Sequence, residues 1–340
     1  MMKKVIMLAV LVFAALFITA CGSDSKNEKQ TDKPIVIYTA AEDERIEYLQ
    51  KNLKSKFPEQ NIVIQSLGTG TLLSKLQAEG KNTDCDIFYD LDSNNAEIIL
   101  DKNPDLFADL SQYDFKIYDD SVISYISKHK KYAINGKTCG AFLVNKKLLN
   151  EKSLTIPDKY KDLTDNKYKG LIAMPSPKSS GTGYSYLNGM VIELGEEQAM
   201  NYFKALNNNI KEYTTSGSAP VKAVKRGDVA IGFGLLWQCV QYANENINLE
   251  VIIPDRKAPY SLFVMGMING KDKRAEVKAV FDYLYKELNI KQCSKFNPDK
   301  IYVTELKNEI PNYPTDFKEI VTDKVFNYKH KQNLLDKWEY

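Results

Sequence analysis

The chain has 340 residues, and its 46 basic and 44 acidic side chains leave a formal net charge of only +2. This balance argues against a nucleic-acid partner, because proteins that bind nucleic acid present strongly basic surfaces. The length exceeds what one hydrophobic core usually serves, so we expect two lobes.

The N-terminus has the features of an export signal. Lys3 and Lys4 precede an apolar run from Val5 to Phe17, which is too short for a stable membrane span, and small residues lead to Ala20. We therefore predict that residues 1–20 form a signal peptide.

The residue after this expected cleavage site is Cys21, and Ile18-Thr19-Ala20-Cys21 has the pattern of a bacterial lipobox, with isoleucine where leucine is commoner. We predict that Cys21 is lipidated and holds the protein at the outer face of the cell membrane. Residues 21–33 are polar and should form a flexible tether, because they hold no large apolar side chain. The alternative is a plain signal peptide that leaves Cys21 as a free thiol.

From Pro34 the chain alternates between strand-like and helix-like segments. Residues 35–39, 61–67 and 86–89 are expected strands, and the spacing of apolar residues predicts a helix over 42–57. Such alternation predicts a mainly parallel sheet covered on both faces, with ligands at the carboxyl ends of its strands. The loops that hold Ala41, Glu42 and Asp90 are then candidates for one rim of a site, although these acidic residues could equally cap helices.

A second α/β set begins at Thr138 and ends at Pro254. We expect strands at 139–145, 171–174 and 229–233 and helices at 184–194 and 196–206, followed by a strand at 260–268 and helices at 275–288 and 327–338. We therefore predict one lobe of residues 34–137 and 256–340 and a second lobe of residues 138–255, with the chain crossing between them twice. Cys85, Cys139, Cys239 and Cys293 permit disulfides, but the strand-like surroundings of Cys85 and Cys139 favour buried free thiols.

Three segments share one design, in which glycine is flanked by hydroxyl residues just before a helix. They are Gly68-Thr69-Gly70-Thr71, Ser179-Ser180-Gly181-Thr182-Gly183 and Thr215-Ser216-Gly217-Ser218. The first turn of a helix presents unpaired backbone N–H groups, glycine allows close approach, and hydroxyl groups add donors. A single segment of this kind is as well explained by helix capping, but three together indicate a cleft that holds a phosphoryl or carboxylate group.

Trp237 begins a helix after the strand at 229–233, and it either packs in the core or forms an aromatic wall of the site. The residues that we expect to contact ligand are Ala41, Glu42, Thr69, Gly70, Thr71, Asp90, Ser179, Ser180, Gly181, Thr182, Ser216, Gly217, Ser218 and Trp237. Among them, the hydroxyl groups of Thr71, Ser180, Thr182 and Ser218 are expected to donate to the anion.

Enzymatic signatures are missing from the sequence. It contains no GxxxxGK[ST] loop and no GxSxG elbow, and its two histidines lie in lysine-rich surroundings away from any expected nucleophile. We therefore expect no catalytic residues, no cofactor and no metal ligands. A cell-surface enzyme and a purely adhesive lipoprotein are the alternatives from other functional classes.

Five stretches carry a family resemblance: GAFLVNKKLL at 140–149, YKGLIAMP at 168–175, SSGTGY at 179–184, TSGSAP at 215–220 and KQNLLDKW at 331–338. With them the chain resembles the family 1 extracellular solute-binding proteins of ABC importers, which include binders of ferric ion, thiamine, 2-aminoethylphosphonate and hexose phosphates. The resemblance implies an α/β, two-lobed type II periplasmic-binding-protein fold with a ligand cleft between the lobes. It also implies a monomer that delivers solute to a permease and its ATPase subunits.

The resemblance also bears on the ligand. Leu235-Leu236 stands where the ferric-ion members carry an adjacent tyrosine pair, and leucine supplies no ligand atom for a hard cation. The SSGTGY and TSGSAP stretches are more similar to the hexose-phosphate and phosphonate branch. We therefore expect a small organophosphate or phosphonate, with ferric iron, free or chelated, as the alternative.

Substitution of Cys21 by alanine tests the predicted anchor. Because the variant lacks the thiol that would carry the lipid, it should leave the membrane fraction for the medium or stay unprocessed. Cell fractionation with immunoblotting measures this, with wild type as the control. A Cys21→Ala protein that is fully processed and still membrane-bound would show that the anchor lies elsewhere.

Overall fold

A computed structural model describes residues 33–126, 130–320 and 327–340 of the chain. The predicted signal peptide, Cys21 and the tether as far as residue 32 lie outside the described residues. Residues Pro34–Tyr340 form one unit. Within the described ranges, no helix is both long enough and apolar enough to cross a bilayer.

The first part of the chain alternates strands and helices, as its apolar spacing predicts. In order, these are β1 (Ile35–Thr39), α1 (Asp43–Lys56), β2 (Ile62–Ser66), α2 (Thr69–Glu79), β3 (Ile87–Asp92), α3 (Ser93–Lys102) and α4 (Asp120–Ile126). Strand β1 pairs in parallel with both β2 and β3. The sequence predicted the end of β3 as a loop, whereas the strand continues to Asp92.

The second part begins with a long strand and ends with a helix. It contains β4 (Ala133–Asn145), α5 (Lys146–Glu151), β5 (Ile172–Pro175), α6 (Gly181–Leu194), α7 (Glu196–Asn207), β6 (Ile210–Thr214), α8 (Ala219–Arg226), β7 (Ile231–Leu235), α9 (Leu236–Glu245), β8 (Leu249–Ile252), β9 (Lys257–Ala258), β10 (Tyr260–Met267), α10 (Ala275–Tyr283), α11 (Asn289–Phe296), β11 (Lys318–Glu319) and α12 (Tyr328–Lys337). The predicted helix over 275–288 is interrupted, because a π-helical turn at Leu284–Leu288 joins α10 to α11.

One mixed sheet has the strand order β2-β1-β3-β10-β4-β7-β5-β6, and β8 also pairs with β4. Strand β4 lies in the middle of this order and joins its two parts. Its residues 133–139 pair antiparallel with β10, and its residues 140–145 pair antiparallel with β7 and β8. We call β2, β1, β3, β10 and residues 133–139 the first sheet half, and β7, β5, β6, β8 and residues 140–145 the second sheet half.

The alternation of side chains along β4 separates two hydrophobic clusters. Ala141 and Leu143 point into a cluster that includes the core of the first sheet half, whereas Phe142 and Val144 point into a second cluster. Successive residues of a strand face opposite sides of the sheet, so helices cover both faces. All four cysteines among the described residues are buried free thiols, as predicted, although only Cys139 lies in a strand.

The C-terminal helix, which the sequence prediction grouped with the first lobe, packs against α3 and also extends to the second cluster. Leu334 and Trp338 are fully buried in the second cluster, where the Trp338 ring meets Phe203 edge to face with centroids 5.1 Å apart. Helix α12 therefore contacts both sheet halves. Sequence order could not reveal this, because the choice depends on which apolar surface is left uncovered.

Candidate functional site

One cavity of ≈ 240 Å³ collects most of the expected ligand contacts. The ones that line it are Ala41, Glu42, Thr69, Ser179, Ser180, Thr182, Ser216, Gly217 and Ser218. The segments that hold them follow the carboxyl ends of β1, β2, β5 and β6, which is where parallel strands usually present ligand-binding loops. Residues far apart in the chain thus meet at one place.

Four helices begin at this cavity. The residues that precede α1, α2, α6 and α8 are Glu42, Gly68, Ser180 and Ser218, and all four line it. The first turn of each helix has backbone N–H groups without intrahelical partners, and the helix dipole places partial positive charge there. The cavity can therefore hold an anion with neutral groups.

The turn before α8 lies directly against the start of α6. A Cβ atom at Gly217 would lie 2.2 Å from Thr182 Oγ1 and 3.3 Å from Ser180 Oγ, so only glycine fits there. Thr182 and Ser180 are buried at 6% and 5% exposure, and the Ser180 hydroxyl accepts a hydrogen bond from the Gly183 N–H at 3.4 Å. This packing brings hydroxyl groups from two segments to one wall of the cavity.

Three expected contacts lie elsewhere on this surface. Gly70 and Gly181 line a smaller neighbouring cavity of ≈ 110 Å³, where the Gly70 N–H donates to the Ser179 carbonyl at 3.4 Å. Thr71 is not among the described residues that line either cavity. Helix α2 begins at Thr69 rather than at the expected Leu72, and a helix turns about 200° over two residues, so Thr71 lies on the opposite side from Thr69.

Asp90 is part of a buried ion pair instead of the cavity wall. Its Oδ1 lies 2.8 Å from Arg45 Nη2, its Oδ2 contacts Arg45 Nη1, and Asn135 also donates to it. Asp90 is 1% exposed and has φ +61°, an unusual value for a residue other than glycine. The expectation that Asp90 contacts ligand therefore finds no support in this geometry.

Trp237 packs in the core, which is one of the two roles that the sequence left open. Its side chain is 1% exposed and meets the Phe296 ring edge to face, with centroids 5.4 Å apart. It is not among the described residues that line the ≈ 240 Å³ cavity. The aromatic ring at that cavity is Phe263 of β10, which sequence reasoning missed.

Glu42 is the cavity carboxyl group whose protonation matters most. Burial raises the pKa of Glu42 to about 7, although Arg45 at 3.3 Å opposes the shift and Asp90 adds to it. Arg45 is shared by two carboxyl groups, and Asp90 takes the bidentate contact. Glu42 can therefore carry a proton near neutral pH, which removes a negative charge from the anion cavity.

Lys222 is the cationic side chain that sequence reasoning missed. It extends from α8 into the cavity lining, and its Nζ lies 2.6 Å from Asp43 Oδ2 of α1. Burial lowers its pKa, but the contacts with Asp43 more than offset this, so the pKa of Lys222 is raised. A lysine one helical turn after a Thr-Ser-Gly-Ser segment was the available signal, because that spacing returns the side chain to the start of the helix.

The two sheet halves touch around the cavity. Besides the Lys222–Asp43 ion pair, Tyr242 of α9 donates to Glu44 of α1 at 3.0 Å, and Gln238 of α9 donates to the same carboxylate at 3.3 Å. The structure therefore represents an arrangement in which the cavity is bounded from both sides.

The pKa of Glu42 predicts a pH-dependent stability. The pKa of Glu42 in the folded protein lies above the ordinary 4.5, so the protonated carboxyl group favours the folded state. Its contribution to the free energy of unfolding is fully present below pH 4.5 and is lost as pH rises through about 7. Glu42→Gln should therefore gain stability relative to wild type over this interval, by on the order of 3 kcal/mol at most. Urea unfolding of the ligand-free proteins between pH 4.5 and 8 measures it. Parallel pH curves for the two proteins would contradict the shift.

Comparison with known structures supports the fold. AfuA from Actinobacillus pleuropneumoniae, a periplasmic binding protein solved with fructose-6-phosphate, is 24% identical, with a TM-score of 0.77 over 90% of this chain and 97% of AfuA. A periplasmic thiamin-binding protein gives a TM-score of 0.74 at 14% identity over 90% and 95% of the two chains. The apo ferric ion-binding protein A of Pasteurella haemolytica gives 0.66 at 16% identity over 90% and 98%. The predicted α/β, two-lobed periplasmic-binding-protein fold is confirmed.

Sequence comparison identifies the family. A curated protein of uncharacterised function from Haemophilus influenzae is 27% identical over 258 residues, which is 73% of this chain and 72% of that protein. The model of the bacterial extracellular solute-binding proteins matches residues 91–318. This chain therefore belongs to the bacterial extracellular solute-binding protein family, whose members are non-enzymatic carriers that bind a small solute for an ABC importer.

Proposed function

We propose that this protein captures a small solute with a phosphoryl group, an organophosphate or a phosphonate, for an ABC importer. The observation that carries the proposal is the meeting of four helix starts and several hydroxyl groups at one cavity. Backbone N–H groups and hydroxyl groups are donors, and the four dipoles place partial positive charge toward the same point. A phosphoryl group has the oxygen acceptors that such a site requires.

The rest of the cavity supports a small, partly polar ligand. Phe263 and Leu67 offer apolar surface beside the hydroxyl groups, and Glu42 can donate or accept a hydrogen bond depending on its protonation. A volume of ≈ 240 Å³ lies below the range of about 300–1,000 Å³ for drug-sized ligands. Hexose phosphates and 2-aminoethylphosphonate are therefore the ligand types to test first, and the fold is shared with AfuA, which was solved with fructose-6-phosphate.

Ferric iron is the second ligand class, since the fold is also shared with ferric ion-binding proteins. Helix N-termini repel a cation, and none of the described residues that line the cavity is a tyrosine or a histidine. Nor do the described residues contain a group of three His, Cys, Asp or Glu side chains arranged to hold a metal. These observations favour the phosphoryl ligand over iron.

We also propose how capture works. The predicted lobes, residues 34–137 with 256–340 and residues 138–255, would move about the points where β4 and the segment before β10 pass between the sheet halves. Ligand would stabilise the closed arrangement by contacting both sides of the cavity. In this proposal α12 spans both lobes, because Leu334 and Trp338 are buried beside the second lobe and the helix also packs against α3 of the first. The protein would act as a monomer held by lipid on Cys21 at the outer face of the membrane.

A matched ligand panel tests the proposal. Glucose 6-phosphate and 2-aminoethylphosphonate are compared with glucose and ethylamine by thermal shift, and ferric citrate by its visible absorption. A phosphorylated compound should raise the melting temperature while its counterpart does not, because binding to the folded state alone stabilises it. Equal binding of both members of a pair would remove the phosphoryl requirement, and a charge-transfer band with ferric citrate would favour iron.

Thr182→Ala then tests the hydroxyl contact in calorimetric titration with the tighter phosphorylated compound. Hydrogen bonds to charged partners contribute about 1.5–3 kcal/mol, so binding should weaken roughly 10- to 150-fold. Thr83→Ala is the matched control, because Thr83 is also buried but bonds to Glu79, far from the cavity. Unchanged binding by Thr182→Ala would mean that the glycine-hydroxyl turns serve only as helix caps.

A further inference from the structure

A buried lysine of the C-terminal helix lies directly behind the anion cavity. Lys331 of α12 is 5% exposed, and it lines the ≈ 110 Å³ cavity together with Thr69 and Gly181. A lysine is rarely buried to this extent unless its ammonium group is paired, because removal of the charge from water is unfavourable. Its partners therefore indicate what it does.

The Lys331 ammonium group contacts both sides of the cavity. Its Nζ lies 2.8 Å from Asp92 Oδ1 and 2.9 Å from Asn95 Oδ1, at the junction of β3 and α3 beside the first sheet half. On the other side, Nζ lies 4.7 Å from the ring centroid of Tyr184, which belongs to α6 beside the second sheet half. One charged group thus joins elements that the proposed closure would bring together.

The helix that carries Lys331 contacts both sheet halves, since it also packs against α3. Leu334 and Trp338 are buried in the second hydrophobic cluster, and Trp338 packs against Phe203 and Tyr213. The contacts of Lys331 with Asp92 and Asn95 reach toward the first sheet half. Separation of the sheet halves would therefore disturb either the packing of Leu334 and Trp338 or the contacts of Lys331 with Asp92 and Asn95.

Asn95 and Asp92 lie next to residues at the helix starts that border the anion cavity. The Asn95 side-chain amide donates to the Thr69 carbonyl at 3.2 Å, and Thr69 begins α2 at the cavity wall. Asp92 Oδ2 lies 3.8 Å from the position that a Cβ atom on Gly181 would take, at the start of α6. Lys331 therefore neutralises a carboxylate beside two of the helix starts and orients the amide that holds one of them.

We infer that Lys331 is a positioning residue for solute capture, and that its ion pair with Asp92 helps to hold the cavity closed. The inference rests on the proposed function of the cavity, but it does not require the ligand to be a phosphoryl compound. When the sheet halves meet, the buried pair holds the starts of α2 and α6 at the spacing that the ligand requires.

The test uses Lys331→Met in the full chain, with Lys337→Met as the matched control. Lys337 lies on the same helix, but it is 47% exposed and pairs with Glu196 at the surface. Calorimetric titration with glucose 6-phosphate and with 2-aminoethylphosphonate should show at least about a tenfold loss of affinity for Lys331→Met and none for Lys337→Met, as expected for a lost charge-assisted hydrogen bond. The double variant Asp92→Asn/Lys331→Met, which buries no unpaired charge, keeps the test valid if the single variant folds poorly, and it should also bind weakly.

A second measurement separates this inference from the phosphoryl proposal. In ligand-free protein, hydrogen exchange of the amides at 69–73 and 181–185 should be at least about tenfold faster in Lys331→Met than in Lys337→Met, while β1 is unchanged. If wild type binds neither probe, the phosphoryl proposal is wrong and exchange alone decides the role of Lys331. Unchanged exchange, or an equal rise in β1, would show a merely structural lysine and overturn the inference. If wild type does bind a probe, an unchanged affinity in Lys331→Met would also overturn the inference.

Discussion

The ion pair between Arg45 and Asp90 is the interaction on which the arrangement of the cavity depends. Both side chains are 1% exposed, and the pair joins α1 to the end of β3, while Asn135 of β4 and Gln292 of α11 also bond to it. Loss of Arg45 would leave the Asp90 carboxylate buried without its cation, which is far worse than loss of an exposed pair. Because Arg45 fixes the first turn of α1, it also fixes Glu42 and Asp43 at the cavity.

This ion pair also determines the electrostatic character of the cavity. Asp90 is occupied by Arg45, Asp43 is paired with Lys222, and Glu42 has a raised pKa, so little negative charge faces a bound anion. The attraction then comes from neutral groups at four helix starts, which are already oriented when the ligand arrives. A site of this kind selects an anion by the directions of its donors rather than by net charge.

Local chemistry explains what could be predicted from the sequence. A helix does begin within or directly after each glycine-hydroxyl segment, and apolar spacing predicted most strands and helices, because both signals act within a few residues. Contacts between distant segments could not be read in this way. Asp90 and Glu42 both carry carboxyl groups, and only the fold shows that Asp90 takes the bidentate contact with Arg45. Likewise, only the fold shows that Trp237 packs against Phe296. The roles of Lys222, Phe263 and Lys331 also depend on segments that meet only after folding.

The most direct measurement of the central claim is a crystal structure with the phosphorylated compound that binds most tightly. The account predicts that the phosphoryl oxygens lie within about 3 Å of the Thr182 and Ser180 hydroxyl groups and of backbone N–H groups at the start of α2, α6 or α8. The remainder of the ligand should extend toward Phe263 and Glu42. A phosphoryl group bound elsewhere, or directed into solvent while another part of the ligand contacts these helix starts, would contradict the account.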